Sequence, residues 1–231
     1  MGLFVPAGRR GSVGEAVKFK NVYFINGTAY AGKSTMVKLL AEACGGIACQ
    51  ENYHDALLGQ LSRDEFPCLT YSRDLKDWRE FVRRSPEEYE AWITGCIREC
   101  TVLELQILRR LDREGRPVFV DTNIPVEVLK EVSDRDHVLI MLADPEISVN
   151  RFFDRPDREK QFLHRLLQED NAGQAMENFR QCLKRINSEE NYRKFLNSGF
   201  PVILRDERRS VQQTLRLAQR LFKLPQDGAA R

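Results

Sequence analysis

The chain has 231 residues, 42% of them apolar and 30% charged, which suits one sizeable core with room for an insert and leaves no space for a second catalytic domain. Its 36 Lys and Arg nearly balance 34 Asp and Glu, so the electrostatic footprint of a dedicated nucleic-acid binder is missing. No apolar run approaches the ~20 residues of a membrane span. The six cysteines, at 44, 49, 68, 96, 100 and 182, show neither a CxxC pair nor zinc-type Cys/His spacing. The expectation is a soluble protein of a reducing cytoplasm, with no nucleic-acid or membrane partner.

Residues 1–20 are rich in Gly and read as a flexible leader, in which Pro6 stands where an N-myristoylation signal wants Ser or Thr. "NVYFING" (21–27) predicts a short buried strand, and "KSTMVKLLAEA" (33–43) a helix with Met36, Leu39, Leu40 and Ala43 on one face. After the Gly45-Gly46 break, "GGIACQE" (45–51) predicts a second strand that runs into the polar cluster "ENYHD". His54 gives that cluster a faint resemblance to a metal site, without a second ligand group to complete it.

Residues 52–115 are helical in pattern, rich in aromatics and Arg, with no strand candidate. The last helix of this stretch has a capping box, Ser85 with Glu88, and Pro86 at its first position. Tyr89, Ile93, Cys96, Cys100, Leu103, Ile107 and Leu111 then recur three or four apart until Gly115. Cys96 and Cys100 read as small apolar residues on that buried face. Further strands are predicted at 117–121, 137–144 and 200–206, with helical stretches between them. A final amphipathic helix turns Val211, Leu215, Ala218 and Phe222 inward. Strands alternating with helices predict an α/β fold, a parallel sheet covered on both faces.

One stretch carries a specific motif. Gly27, Gly32, Lys33 and Ser34 fit G-x-x-x-x-G-K-[ST], between an apolar strand and a helix as the motif requires. Glycines let the backbone turn tightly so that its N–H groups face a polyphosphate, which also sits at the positive end of the following helix. Residues Gly27, Thr28, Ala29, Tyr30, Ala31, Gly32, Lys33, Ser34 and Thr35 are therefore the expected nucleotide-binding set. Lys33 would reach the β and γ phosphates and the Ser34 hydroxyl would ligate Mg²⁺, making ATP and Mg²⁺ the expected cofactors.

With this loop in place, the order of elements resembles the small P-loop kinases, a family that includes nucleoside and nucleoside monophosphate kinases, shikimate kinase and chloramphenicol phosphotransferase. The resemblance runs from about residue 21 to residue 223. It implies a three-layer P-loop NTPase sandwich, strand order 2-3-1-4-5, a kinase domain over 21–231, a helical acceptor-binding insert at 52–115 and an Arg-rich lid at 151–170. It also implies that Asp121, at the end of "VFVD", lies near Mg²⁺, and that Arg151 and Arg155, with Arg158, close over the transferring phosphoryl group.

Glu51 is delivered by strand two to the carboxyl edge of the sheet, where ligands of open α/β sheets bind, and can take the proton of an acceptor hydroxyl. Asp55, one helical turn on, is the other candidate. Adenylate-kinase-like members keep an Arg after strand three that holds the acceptor's phosphate, but in "DTNIPVE" that place is Val126. The expected function is ATP- and Mg²⁺-dependent phosphoryl transfer to a hydroxyl of a small metabolite, a nucleoside or similar alcohol. The alternatives are a nucleoside monophosphate kinase, with Arg73, Arg79 and Arg83 supplying charge, and a nucleotide-binding module without an acceptor. No Asn-Lys-x-Asp guanine-reading motif is present, and "DREG" (112–115) precedes strand three instead of following it, which argues against a regulatory GTPase. A homodimer is compatible with either kinase reading.

Overall fold

The computed structural model describes residues 18–154, 158–169 and 172–225. Within them, five strands form one parallel sheet in the order β2-β3-β1-β4-β5. The strands are β1 (Val22–Gly27), β2 (Ile47–Cys49), β3 (Val118–Asp121), β4 (Val138–Leu142) and β5 (Val202–Leu204). Register is set by pairs such as Phe24 with Val120 and Gly27 with Met141. Parallel neighbours need crossover connections, which the helices supply.

Alternate residues of each strand feed opposite cores. Phe24, Val118, Val120, Ile140 and Leu142 pack with Leu108, Ile124 and Leu129 on one face. Ile25, Phe119, Leu139 and Met141 pack with Leu40, Leu215, Ala218 and Phe222 on the other. The first face is covered by α4 (Pro86–Asp112) and α5 (Val126–Val132), the second by α1 (Lys33–Cys44) and α10 (Val211–Leu221). Strands with both faces buried read as continuous apolar runs, which is how 118–120 and 138–142 read.

The helical stretch after β2 holds a 3-10 turn (Asp55–Gln60), α2 (Tyr71–Asp74), α3 (Trp78–Val82) and α4. After β4 come α6 (Pro145–Asn150), α7 (Arg158–Glu169), α8 (Ala172–Ile186) and α9 (Glu189–Leu196). These two stretches share a third core of Phe81, Val82, Tyr89, Val149, Leu167, Phe179 and Leu183. Arg185 of α8 adds ion pairs to Glu87 (2.7 Å) and Glu90 (2.6 Å) of α4.

The ends of α4 follow its sequence: Ser85 and Glu88 exchange the reciprocal hydrogen bonds of a capping box, and 27 residues give a rod of about 40 Å. Three expectations need correction. Helix α1 buries Met36, Val37, Leu40 and Ala41, leaving Ala43 exposed, so its stripe is rotated by about one residue. Val211 is 52% exposed, because the first residue of α10 overhangs the sheet while Leu215, Ala218 and Phe222 reach it. The predicted strands at 45–51, 137–144 and 200–206 are shorter, ending where neighbouring residues turn away into loops. Residues 1–17 of the expected leader, and 155–157 and 170 of the expected lid, lie outside the described residues.

Candidate active site

At the carboxyl end of β1 the chain must turn sharply under β4. Gly27 has φ 128°, and a Cβ there would stand 1.9 Å from the Met141 carbonyl oxygen, so no other residue fits. Its amide donates to Asn26 Oδ1 (2.6 Å), while Asn26 Nδ2 donates to the Ile124 carbonyl (2.6 Å), clamping the turn to the segment after β3. Thr28 completes the clamp on the β4 side: its hydroxyl accepts from the Ala143 amide (2.7 Å) and its own amide donates to Met141 O (3.1 Å).

Gly32, at φ 91°, is the N-cap of α1, and no side chain caps this helix. Tyr30 adds a second left-handed position within the loop, at φ 63°. The first amides of a helix lack intrahelical partners and carry its positive end, so an uncapped N-terminus behind a glycine turn is a ready anion cradle.

Three side chains meet at that cradle. Ser34 Oγ donates to Asp121 Oδ2 at 2.6 Å, and Lys33 Nζ lies 3.7 Å from Asp121 Oδ1. Lys33 also donates to the Thr28 carbonyl at 3.1 Å. Burial pushes the Asp121 carboxyl up from its ordinary range, and Lys33 and Ser34 pull it back. Lys33, Ser34 and Asp121 thus form one compact group of ammonium, hydroxyl and carboxylate.

A cleft of about 510 Å³ opens beside it, lined by Ala29, Tyr30, Gly32–Thr35 and Glu51 on one side and by Tyr89, Phe152 and Lys160 on the other. Glu51 therefore shares this cleft with the loop. Asp55 does not line this cleft; it is exposed and lies 3.7 Å from His54 Nε2. Beyond Tyr89 and Phe152 the cleft adjoins a chamber of about 760 Å³, walled by Trp78, Phe81, Trp92 and Phe162 with Arg73 and Arg158. On the far side of the loop a third cavity, about 350 Å³, lies between Tyr30–Gly32 and the turn after β5, with Arg205 and Arg209 in its wall.

Arg151 meets the loop through its backbone, its carbonyl accepting from the Tyr30 hydroxyl, while its side chain is exposed. Arg155 lies outside the described residues. Arg158 and Lys160 of α7 supply cations to the cavities, and Lys160 Nζ sits 5.3 Å from the Phe152 ring centroid. Lys160 and Arg205 were missed in the sequence. The signal for Arg205 was its place at the carboxyl end of β5, the same sheet edge as the loop. Lys160 gave none, being one charge among many on a polar helix.

A second group was also missed. His54, 5% exposed, has Nδ1 3.1 Å from Glu104 Oε1 and Nε2 3.2 Å from Cys100 Sγ. Glu104, 4% exposed, accepts from the Thr122 hydroxyl at 2.7 Å. Cys100 is thus a polar partner, not the apolar filler its helical spacing suggested, and His54 has the two neighbours that the sequence did not show. The sulfur and the carboxylate meet different ring nitrogens as a hydrogen-bonded trio, and one donor atom from each of the three residues lies within 4.8 Å of the others, the spacing of a group that could hold a metal ion.

No family model matches the chain, and no curated protein matches it. Among the described residues no helix is long and apolar enough to cross a membrane.

Proposed function

We propose that the protein is a P-loop phosphotransferase that moves the γ-phosphoryl group of ATP, with Mg²⁺, to a hydroxyl of a small neutral metabolite. The observation that carries the reading is the convergence of Lys33, Ser34 and Asp121 at an uncapped helix N-terminus, with Glu51 in the lining of the adjoining cleft. In this reading the amides of residues 27–35 and Lys33 hold the phosphates. Ser34 and Asp121 hold Mg²⁺, which would neutralise charge on the phosphate oxygens. A hard cation suits two oxygen ligands of this kind, and it would relieve the cost of keeping Asp121 ionised in a buried position.

The three cavities divide the work. The one between Tyr30 and Arg205 would take the nucleoside end of ATP, and the cleft at Glu51 would take the reacting hydroxyl. Glu51 would orient that hydroxyl and accept its proton as the phosphoryl group is transferred to it. Lys160, which lines the cleft, would supply positive charge to the transferring group, the role that the family resemblance gave to Arg151 and Arg155. The aromatic chamber next to the cleft would bury the rest of the acceptor and exclude water.

Neutrality of the acceptor is supported by Val126, which is 6% exposed and packed in the sheet core where a phosphate-binding Arg would otherwise stand. The test is thermal stabilisation. ATP with Mg²⁺ should raise the melting temperature, and on top of a non-hydrolysable ATP analogue a nucleoside or small alcohol should raise it again. Stabilisation by nucleoside monophosphates alone would contradict the neutral acceptor.

A further inference from the structure

We propose that Cys100 is a nucleophilic modification site, its sulfur held against the His54 imidazole as the partner that takes its proton, open to hydrogen peroxide and small carbon electrophiles. This proposal stands apart from the reading of the phosphate loop.

The geometry is a close group of three side chains, with one donor atom of each within 4.8 Å of the others. Cys100 Sγ lies 3.2 Å from His54 Nε2, and His54 Nδ1 lies 3.1 Å from Glu104 Oε1. His54 and Glu104 are buried, at 5% and 4% exposure, whereas Cys100 is half-buried. A buried carboxylate behind an imidazole favours its cationic form, and a cationic imidazole against a thiol favours the thiolate. Glu104 is itself anchored by the Thr122 hydroxyl, so it cannot swing away from the ring.

Burial alone would push the His54 imidazole down, but its hydrogen bonds to Cys100 and Glu104 outweigh this and hold its pKa up at about 10. Other titratable groups face the trio from each neighbouring element. Asp55 lies 3.7 Å from His54 Nε2 and also favours the imidazolium. Tyr53 and Cys49, from the segment after β2 and from β2 itself, are both pushed up by burial and by Glu104, so they stay neutral. Cys96, one turn back on α4, is pushed up by burial and by its cysteine neighbours to beyond the ordinary thiol range, which leaves it protonated. Among the described residues, Cys100 is the thiol that lies at hydrogen-bond distance from the His54 ring.

With peroxide the thiolate attacks one oxygen. The S–O bond forms as the O–O bond breaks, and hydroxide leaves as water with the proton that His54 holds. Sulfur gives up two electrons to the peroxide and becomes a sulfenic acid. With iodoacetamide an S–C bond forms and iodide leaves.

The test is a pulse of iodoacetamide on the full chain at pH 5.5 to 9.5, with alkylation of each cysteine read by peptide mass spectrometry. An ordinary thiol of pKa about 8.5 is only about 1% ionised at pH 6.5. Cys100 should react at least about tenfold faster than that at pH 6.5, with a rate nearly flat to pH 8. His54→Asn should remove that advantage at pH 6.5 and leave the rate at pH 9.5 nearly unchanged. Buried Cys49 and Cys182 report folding, and should stay protected in the variant. If they do not, Glu104→Gln replaces it and should move the Cys100 midpoint upward. A wild-type rate for Cys100 that climbs about tenfold per pH unit to a midpoint of 8.5 or above would overturn the proposal without any variant.

Discussion

Ser34 Oγ and Asp121 Oδ2 lie 2.6 Å apart although 87 positions separate them in the chain. The parallel pairing of β1 with β3 makes this meeting possible: Ile25 pairs with Asp121, so the strand end that carries the carboxylate stops beside the loop that carries the hydroxyl. Lys33, 3.7 Å from the same carboxylate, completes the group.

Lys33 bears directly on the chemistry. Its ammonium donates to the Thr28 carbonyl and lies 3.7 Å from Asp121, and Lys33 itself lines the cleft. Lys33→Ala should lower phosphoryl transfer by about 10²-fold or more, with the circular dichroism spectrum unchanged. Retained turnover would remove the role assigned to this residue.

Asp121 offers a test with a sign. Its folded pKa is raised, so the folded state holds the proton more tightly than the unfolded chain. The penalty is absent below the unfolded value of about 4 and is fully present once pH exceeds the folded value. Asp121→Asn should therefore gain stability relative to wild type as pH rises from about 4, while losing the Mg²⁺-dependent part of stabilisation by ATP. Urea midpoints from pH 4 to 8, with and without ligand, read both effects.

Glu51 is exposed. Glu51→Gln should cut kcat by about 10²- to 10⁴-fold, the range for loss of a general base, while ATP with Mg²⁺ still raises the melting temperature. Asp55→Asn, outside the cleft, should leave kcat within about a factor of two to three. Reversal of the two results would make Asp55 the base.

Gly27 tests the cradle itself. Gly27→Ala must move the Met141 carbonyl, because the new Cβ would lie 1.9 Å from its oxygen, and must also adopt φ 128°. The cost should be at least about 2 kcal/mol, with loss of nucleotide binding, measured by chemical denaturation and by thermal shift.

The parts of this architecture that were legible in the sequence are those written locally. The sheet's parallel character followed from strand and helix alternation, the limits of α4 from Ser85, Pro86 and Glu88, and the loop from the spacing of Gly27, Gly32 and Lys33. Helix faces were read less well, since the apolar stripe of α1 includes Val37 and Ala41 in place of Ala43. The hydrogen-bonded trio was not legible at all. Cys100 and Glu104 lie 46 and 50 positions from His54, and a buried Glu on a long helix looks like any exposed one until the packing is known. Lys160 belongs to the same class, a charge whose neighbours are decided by how α7 packs.

Transfer of labelled phosphate under single-turnover conditions is the most direct test of the central claim. The protein, with Mg²⁺ and γ-labelled ATP, would be mixed with nucleosides and small alcohols in turn. The account predicts that label appears on a neutral acceptor with the wild-type protein and not with Lys33→Ala. Release of free phosphate at the same slow rate, whichever acceptor is present, would contradict it and leave a nucleotide-binding module in its place.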